Sequence, residues 1–498
     1  MPNTHEQSGA GGASAAAAYP QLPAVHLRIN GKKVLPASGQ TSEHVSPVTG
    51  QVDATVPVAD AAAVDDAVQA AHVAFGEWRR TRPARRRELL LKLADLIEEH
   101  SQEIVLLATA DNALPVGFGA GFPALAAAWT RYYAGWADKI LGEVTGNPVQ
   151  DGELGYTMPQ PYGVVATIIT WNAPLMSIAM KVPAALAAGN TVVIKPSSLT
   201  PFSGELFMDL VEEAGFPPGV VNMLPGGGEA GDRLVTHPLV KKVSFTGGLA
   251  TAAKILRACA ETAKPAVMEL GGKSANIVFE DADVPVACAF NIGLSVGAFA
   301  GQGCGLPTRM LVHESIHDEV VERVRALVAA IKTGDPTNPT TVHAPVISQA
   351  AADRIMGMIE RAIAGGATLV AGGHRMDRPG FYIEPTVFTD VDPDSEIAQE
   401  EVFGPVLAIT KFSTEQEAIT IANSTRYGLA AYIQTSDLTR AHRVAAELEA
   451  GEVLINGAGN LAVHRPFGGI GISGVGKEGG RAGFEEFLRV KAVGIAVR

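Results

Sequence analysis

Cysteine is scarce: three residues in 498, Cys259, Cys288 and Cys304, with no CxxC pair and an odd one left over. That excludes a disulfide framework and gives no zinc-site spacing. Positive charge is also short. Lys and Arg number 39 against 52 Asp and Glu, a formal net charge of −13, and a polyanion needs a cationic stripe to release its counterions. Nucleic acid and anionic membrane surfaces are therefore excluded as partners. The one basic cluster, Arg79 to Arg87, reads as the solvated opening of a helix. No stretch of about eighteen uninterrupted apolar residues occurs, and the Ala/Gly-rich start lacks a charged segment followed by an apolar one. The expected location is the cytoplasm.

What is present is the balance of a globular protein, 47% hydrophobic and 18% charged, in a chain long enough for two or three domains. Residues 1 to about 24, rich in Ala, Gly and Ser, read as a disordered arm. Leu27, Ile29 and Val34 around the turn pair Asn30-Gly31 predict a hairpin, and apolar spacing predicts helices over Ala61 to Phe75 and Arg87 to Leu107. Short β-branched runs then alternate with amphipathic helices, the pattern of an α/β protein with a parallel sheet. Strands are expected at Val164 to Thr170, Thr191 to Ile194, Val220 to Leu224 and Val240 to Phe245. Thr200 and Pro201 predict the N-cap and first turn of a helix that stops at Gly215. Strand-to-helix turns in such a sheet expose backbone N–H groups toward an anion, so a nucleotide fits there. A second α/β unit begins near Gly272, and no internal repeat is evident.

Four distant segments each set a reactive or polar residue beside glycine, proline or tryptophan. They are Thr170-Trp171-Asn172-Ala173-Pro174, Met268-Glu269-Leu270-Gly271-Gly272-Lys273, Gly301-Gln302-Gly303-Cys304 and Glu400-Glu401-Val402-Phe403-Gly404-Pro405. From about Val25 to the C-terminus, and in order, the chain resembles the aldehyde dehydrogenase superfamily in its non-acylating, NAD(P)-dependent branch. Converting an aldehyde to an acid by hydride transfer requires a tetrahedral alkoxide first, and a thiolate supplies that adduct. Cys304 lies in a glycine-flanked loop where backbone can approach a ligand, whereas Cys259 and Cys288 lie in Ala-rich and apolar runs. Cys304 is the candidate nucleophile.

The resemblance implies the remaining roles. Asn172 would donate to the alkoxide, Glu269 would activate water against the thioester, and Lys181 would favour the thiolate by Coulombic attraction. The cofactor, NAD or NADP, would meet Thr170, Trp171, Lys195, Ser198, Gly228, Gly247, Gly248, Leu270, Glu401 and Phe403. Lys195 would reach the adenosine ribose and Glu401 the nicotinamide ribose. No metal is implied. Ser198 stands where the family often has a glutamate that repels a 2′-phosphate, and Gly248 where a serine often caps the helix facing the pyrophosphate. Gly471 replaces a common lysine. Ala173, Met180, Ala298, Leu461 and Phe467 would line the substrate channel, and three of them, Ala173, Ala298 and Leu461, stand where aromatics are common. A wide, apolar channel is expected, suited to an aromatic or long-chain aldehyde. None of these positions is basic, which disfavours small dicarboxylic semialdehydes, although Arg465 lies close in sequence.

The implied fold class is α/β and aldehyde dehydrogenase-like. It has a Rossmann-type nucleotide-binding domain (25–140 and 162–271), a catalytic α/β domain (272–483) and a small β extension for oligomerisation (141–161 and 484–498). A homo-oligomer acting on a small-molecule aldehyde is expected. Two alternatives stand beside this reading: transfer of the acyl group to coenzyme A, and a catalytically silent structural relative.

Overall fold

A computed structural model describes residues 19–457 and 461–497. Residues 1–18 of the arm lie outside the described residues. The rest of the expected arm is ordered rather than loose, because Leu22 and the following Val25 supply apolar anchors to the first core.

Two sheets organise the chain. The first has eight strands, in the order Gly474–Val475, Ala266–Glu269, Val240–Thr246, Val164–Ile168, Thr191–Lys195, Val221–Met223, Leu27–Ile29 and Lys32–Val34. Its five central strands are parallel and its edges antiparallel. The edge hairpin turns at Asn30 and Gly31, both left-handed at φ 52° and 72°, a conformation Asn and Gly tolerate best. Helices cover both faces. Ala61–Trp78, Gly228–Thr236 and Leu249–Ala260 pack on one, and Pro83–Glu99, Phe122–Ala134, Pro174–Ala188 and Phe202–Ala214 on the other. Coverage of both faces explains why Val164–Ile168 is buried at every position and reads as a continuous apolar run. The Pro174–Ala188 helix is buried at all of its residues, as expected of a helix apolar all round.

The second sheet has seven strands, Thr368–Ala371, Thr386–Thr389, Val406–Phe412, Arg309–His313, Ala275–Val278, Ala430–Gln434 and Glu452–Ile455, parallel except for the first pair. Glu153–Pro161 and Leu488–Ala496 form a separate antiparallel pair over nine residues. One stretch, Val284–Gly301, is long and apolar enough to span a membrane, with mean hydropathy 1.6, but it is interrupted by left-handed residues and 61% buried within the fold.

Several expectations need correction. The segment Arg87 to Leu107 is two helices, Pro83–Glu99 and Ser101–Asn112, broken at His100. Within the basic cluster Arg86 is buried, its guanidinium donating to the carbonyls of Thr81, Ala187 and Ala137, so it is a structural tie and not a solvated charge. Thr200 does not cap the next helix, which starts at Phe202. The buried Asp111 carboxylate caps it from another element, accepting from the N–H groups of Phe202 and Ser203 at 2.8 Å each. Within the segment expected to belong to the second unit, Phe467 packs in the first core and Gly474–Val475 joins the first sheet, and Phe484 and Phe487 beyond it also pack in that core.

Candidate active site

Three strand ends of the first sheet converge at its carboxyl edge, where the chain turns into helices. The Val164–Ile168 strand leads to Thr170, Trp171 and Asn172, and Pro174 then opens the buried helix. Asn112 fixes this turn: its side-chain amide donates to the carbonyls of Trp171 at 3.0 Å and Asn172 at 2.7 Å. The Asn172 amide donates in turn to the backbone carbonyl of Gln302 at 2.8 Å, two residues before Cys304.

The loop carrying Cys304 has an unusual backbone. Phe299, Ala300 and Gly301 are left-handed in succession, at φ 66°, 47° and 68°, a conformation that costs a residue with a Cβ roughly 1–2 kcal/mol. The kink turns the chain out of the preceding helix. A side chain on Gly301 would strike the carbonyl of Gly404, so this glycine is where the loop meets the Glu401–Gly404 segment. Gln302 anchors the far side, its Oε1 accepting from the N–H of Ile347 at 2.9 Å.

Glu269 ends the Ala266–Glu269 strand and is 2% exposed, and neither carboxyl oxygen has a hydrogen-bond partner. Burial first, and then the Glu478 carboxylate, raise its pKa well above the usual carboxylate range. The cover comes from the glycine-dense segment Pro466 to Gly480. Gly474 pairs with Glu269 in the sheet, and a Cβ on Gly468 (φ 146°) would overlap the Glu269 carboxyl. Gly471, at φ 58° against the carbonyl of Arg426, turns that loop, which accounts for glycine where a lysine was expected.

Cys304 is partly exposed, and burial together with the Glu401 and Glu269 carboxylates pushes its thiol up to about 12, against the pull of backbone N–H groups at Cys304 and Gly305. Lys181 is not the source of thiolate stabilisation that was expected. Its fully buried ammonium is paired with Glu478 and lies 3.2 Å from Ser244 Oγ. Cys259 and Cys288 are buried in helices Leu249–Ala260 and Val284–Ile292.

A cavity of about 230 Å³ opens on these groups. Cys304, Asn172, Glu269, Glu478 and Thr170 line it, with Ala173, Met180, Ala298, Leu461 and Phe467 among its apolar walls. The expected bareness of the channel is only half present. Ala173, Ala298 and Leu461 are as small as anticipated, yet Phe118, Phe122 and Phe299 line the same cavity. Their ring centroids lie 5.5–6.0 Å apart. Phe118 and Phe122 lie nearly two hundred residues from the nucleophile; Phe122 is carried by the Phe122–Ala134 helix, which packs against Pro174–Ala188, and Phe118 by the short Val116–Gly119 turn before it. No described residue lining the cavity is basic, and Arg465 instead donates to Glu452 at 3.2 Å.

Except for Thr170, the cofactor candidates lie outside the lining of that cavity. Gly228 opens the Gly228–Thr236 helix and Gly248 precedes Leu249–Ala260; neither helix has a side-chain cap, and a Cβ at Gly227, Gly228 or Gly248 would meet only open space. Uncapped N–H groups at two helix starts form an anion cradle. Lys195 ends its strand against Gly231 of the first of these helices, donates to the Pro196 carbonyl at 3.0 Å, and is lowered to about 8 by burial. Ser198 is half-buried in the turn that follows. Gly247 packs on Phe245, and the buried Leu270 donates its N–H to Ser473. Glu401 accepts from the N–H of Gly272 at 2.9 Å and is raised to about 7 by burial, while Phe403 meets Trp171 edge-on at 5.4 Å. This donor set fits a dinucleotide: backbone N–H groups for a pyrophosphate, Lys195 and Glu401 for ribose hydroxyls, and an aromatic pair for a flat ring. Among the described residues no cluster of His, Cys, Asp and Glu could hold a metal ion.

Such an arrangement can add a thiol to a carbonyl carbon, stabilise the resulting oxyanion and deprotonate water beside it. The comparisons identify the family. The model of the aldehyde dehydrogenase family matches residues 34–493. An aldehyde dehydrogenase from Aspergillus niger is 42% identical, over 94% of each chain. The NAD+ complex of aldehyde dehydrogenase from Bacillus cereus superposes with a TM-score of 0.93 at 39% identity, covering 96% of this chain and 97% of that one. PnpE in complex with nicotinamide adenine dinucleotide gives 0.92 at 41%, covering 95% and 98%. The chain belongs to the aldehyde dehydrogenase family and is an NAD(P)-dependent oxidoreductase.

Proposed function

We propose that this protein oxidises a bulky apolar aldehyde, aromatic or long-chain, to its carboxylic acid through a thiohemiacetal and then a thioester on Cys304. The observation that carries this reading is that Cys304, the Asn172 amide and the unpartnered Glu269 carboxyl open on one apolar cavity. Glu269 takes the thiol proton, and the sulfur attacks the aldehyde carbon. The carbonyl π pair moves onto oxygen, where the Asn172 amide and the Cys304 backbone N–H meet the new charge. NAD(P)+, when bound, supplies the acceptor for the hydride. Loss of hydride re-forms the carbonyl as a thioester. Glu269 passes the thiol proton to solvent and, as the carboxylate again, deprotonates a water; the hydroxide adds to the acyl carbon, and the carbon–sulfur bond breaks with its electron pair on sulfur.

Two neighbouring acids serve this sequence, because the Glu269 carboxylate raises the pKa of Cys304 and so disfavours two negative charges side by side. An unpaired carboxyl in the acyl cavity favours water over coenzyme A as the acceptor. The lack of a cation among the described lining residues favours a neutral substrate. Within the same reading the protein is cytoplasmic, in keeping with its three unpaired cysteines. It is also a dimer or a tetramer built from dimers. The Leu488–Ala496 strand and its surroundings support assembly, since Val490, Ile495 and Leu141 stand exposed beside an uncovered edge.

The test is NAD(P)H absorbance with a panel of aldehydes, with and without coenzyme A, on the native enzyme and on Cys304→Ala. The expected outcome is acid formation indifferent to coenzyme A, and loss of turnover by roughly 10³-fold or more in Cys304→Ala with cofactor binding retained. Turnover near the native rate in that variant, or an acyl-coenzyme A product, overturns the mechanism.

A further inference from the structure

One wall of the substrate cavity is out of keeping with the rest. Ser177 lies in the first turn of the Pro174–Ala188 helix, is 6% exposed and lines the cavity between Met176 and Met180. Its hydroxyl oxygen is buried and has no hydrogen-bond partner. A serine inside a helix ordinarily returns its hydroxyl to the carbonyl four residues back. Here that carbonyl, of Ala173, accepts the Ser177 backbone N–H at 2.9 Å and the hydroxyl stays unpaired.

The other polar linings are paired or have roles assigned above. Glu478 is paired with Lys181, Glu269 is the base, and Thr170 and Thr246 stand at strand ends on the cofactor side. A buried hydroxyl left without a partner costs free energy that a ligand atom can recover. In a site built this way, an analogue lacking the matching group is rejected far more strongly than one lacking a methylene.

We propose that Ser177 is a specificity-determining residue that hydrogen-bonds an oxygen carried by the substrate away from its aldehyde carbon. The substrate class is then a hydroxylated aromatic aldehyde. The ring follows from Phe118, Phe122 and Phe299, whose edge-on and tilted packing at the cavity offers a fourth ring the same contacts. The neutrality of the oxygen follows from the carboxyls of Glu269 and Glu478 in the lining and from the absence of a cation among its described residues. This inference rests on the cavity being the aldehyde channel, as argued above.

The experiment compares kcat/KM for benzaldehyde and its 2-, 3- and 4-hydroxy derivatives, below the pH at which the phenols ionise, in the native enzyme, Ser177→Ala and Ser177→Thr. The native enzyme is expected to prefer one hydroxy isomer over benzaldehyde by about tenfold or more. In Ser177→Ala that ratio should fall to near one, and Ser177→Thr should keep part of it. A ratio equal in native and Ser177→Ala, or no isomer preferred, overturns the role of Ser177 while leaving the bulky apolar reading intact. Failure of the native enzyme on every aromatic and long-chain aldehyde, with a small aldehyde oxidised, overturns the channel assignment and this inference with it.

Discussion

The two sides of Cys304 are built differently. On the cofactor side, backbone does most of the recognition: uncapped helix starts at Gly228 and Gly248, strand ends at Thr170 and Lys195, and a Glu401 carboxyl held by a backbone N–H. The substrate side is made of side chains from elements far apart in sequence, with Phe118, Phe122 and Phe299 packed together and Leu461 and Phe467 lining the same apolar space. The first construction constrains sequence locally, because a glycine or a strand end must occur at a fixed place in a motif. Nothing local constrains the second, since any side chain of suitable size reaching the cavity from any element will do.

The sharpest way to break that contrast is at the group both sides share. Glu269→Gln should lower steady-state turnover by roughly 10²–10⁴-fold and leave acyl-enzyme on Cys304, visible by intact-protein mass spectrometry. Its pH profile carries a sign. The carboxylate is the active form and burial raises its pKa, so native turnover should fall with decreasing pH at a value above the usual carboxylate range. That acid limb should vanish in Glu269→Gln. An unchanged rate and profile, with no adduct, would remove Glu269 from the mechanism.

The substrate side is next in size of effect. Ala173→Phe adds a ring to a cavity of about 230 Å³ and should cut kcat/KM for aromatic and long-chain aldehydes by roughly 10–100-fold, while sparing acetaldehyde. Equal loss for large and small aldehydes would mean that the ring disturbs Asn172 rather than filling the channel.

The smallest effect belongs to the cofactor side. Ser198→Glu should weaken NADP+ by roughly tenfold relative to NAD+, measured by dissociation constants, because the new carboxylate faces a phosphate in one case and hydroxyls in the other. Equal weakening of both would place the adenosine ribose elsewhere.

This contrast also explains what was legible. The hairpin at Asn30-Gly31, the central strands and the four motifs follow from local pattern, and the structure brings Asn172, Glu269 and Cys304 to one cavity. What escaped depended on distance. Asp111 caps the Phe202 helix from 91 residues away, Arg86 reaches a carbonyl 101 residues on, and Lys181 is taken by Glu478 across 297 residues. The phenylalanines of the channel escaped because no periodicity marks a side chain that meets a pocket only after two helices have packed. A signal did exist for the segment from Pro466 to Gly480 in its density of glycine, although what those glycines approach is visible only in three dimensions.

The loop that covers Glu269 has a consequence for how the site comes together. Until Gly468 and Gly474 reach the first sheet, this carboxyl has no cover from them. An exposed glutamate keeps ordinary carboxylate strength, so the raised proton affinity arises only when that loop settles. Pairings of such long sequence separation form late. The acidity of this carboxyl is thus a product of tertiary folding, set by a segment distant from the strand that carries it.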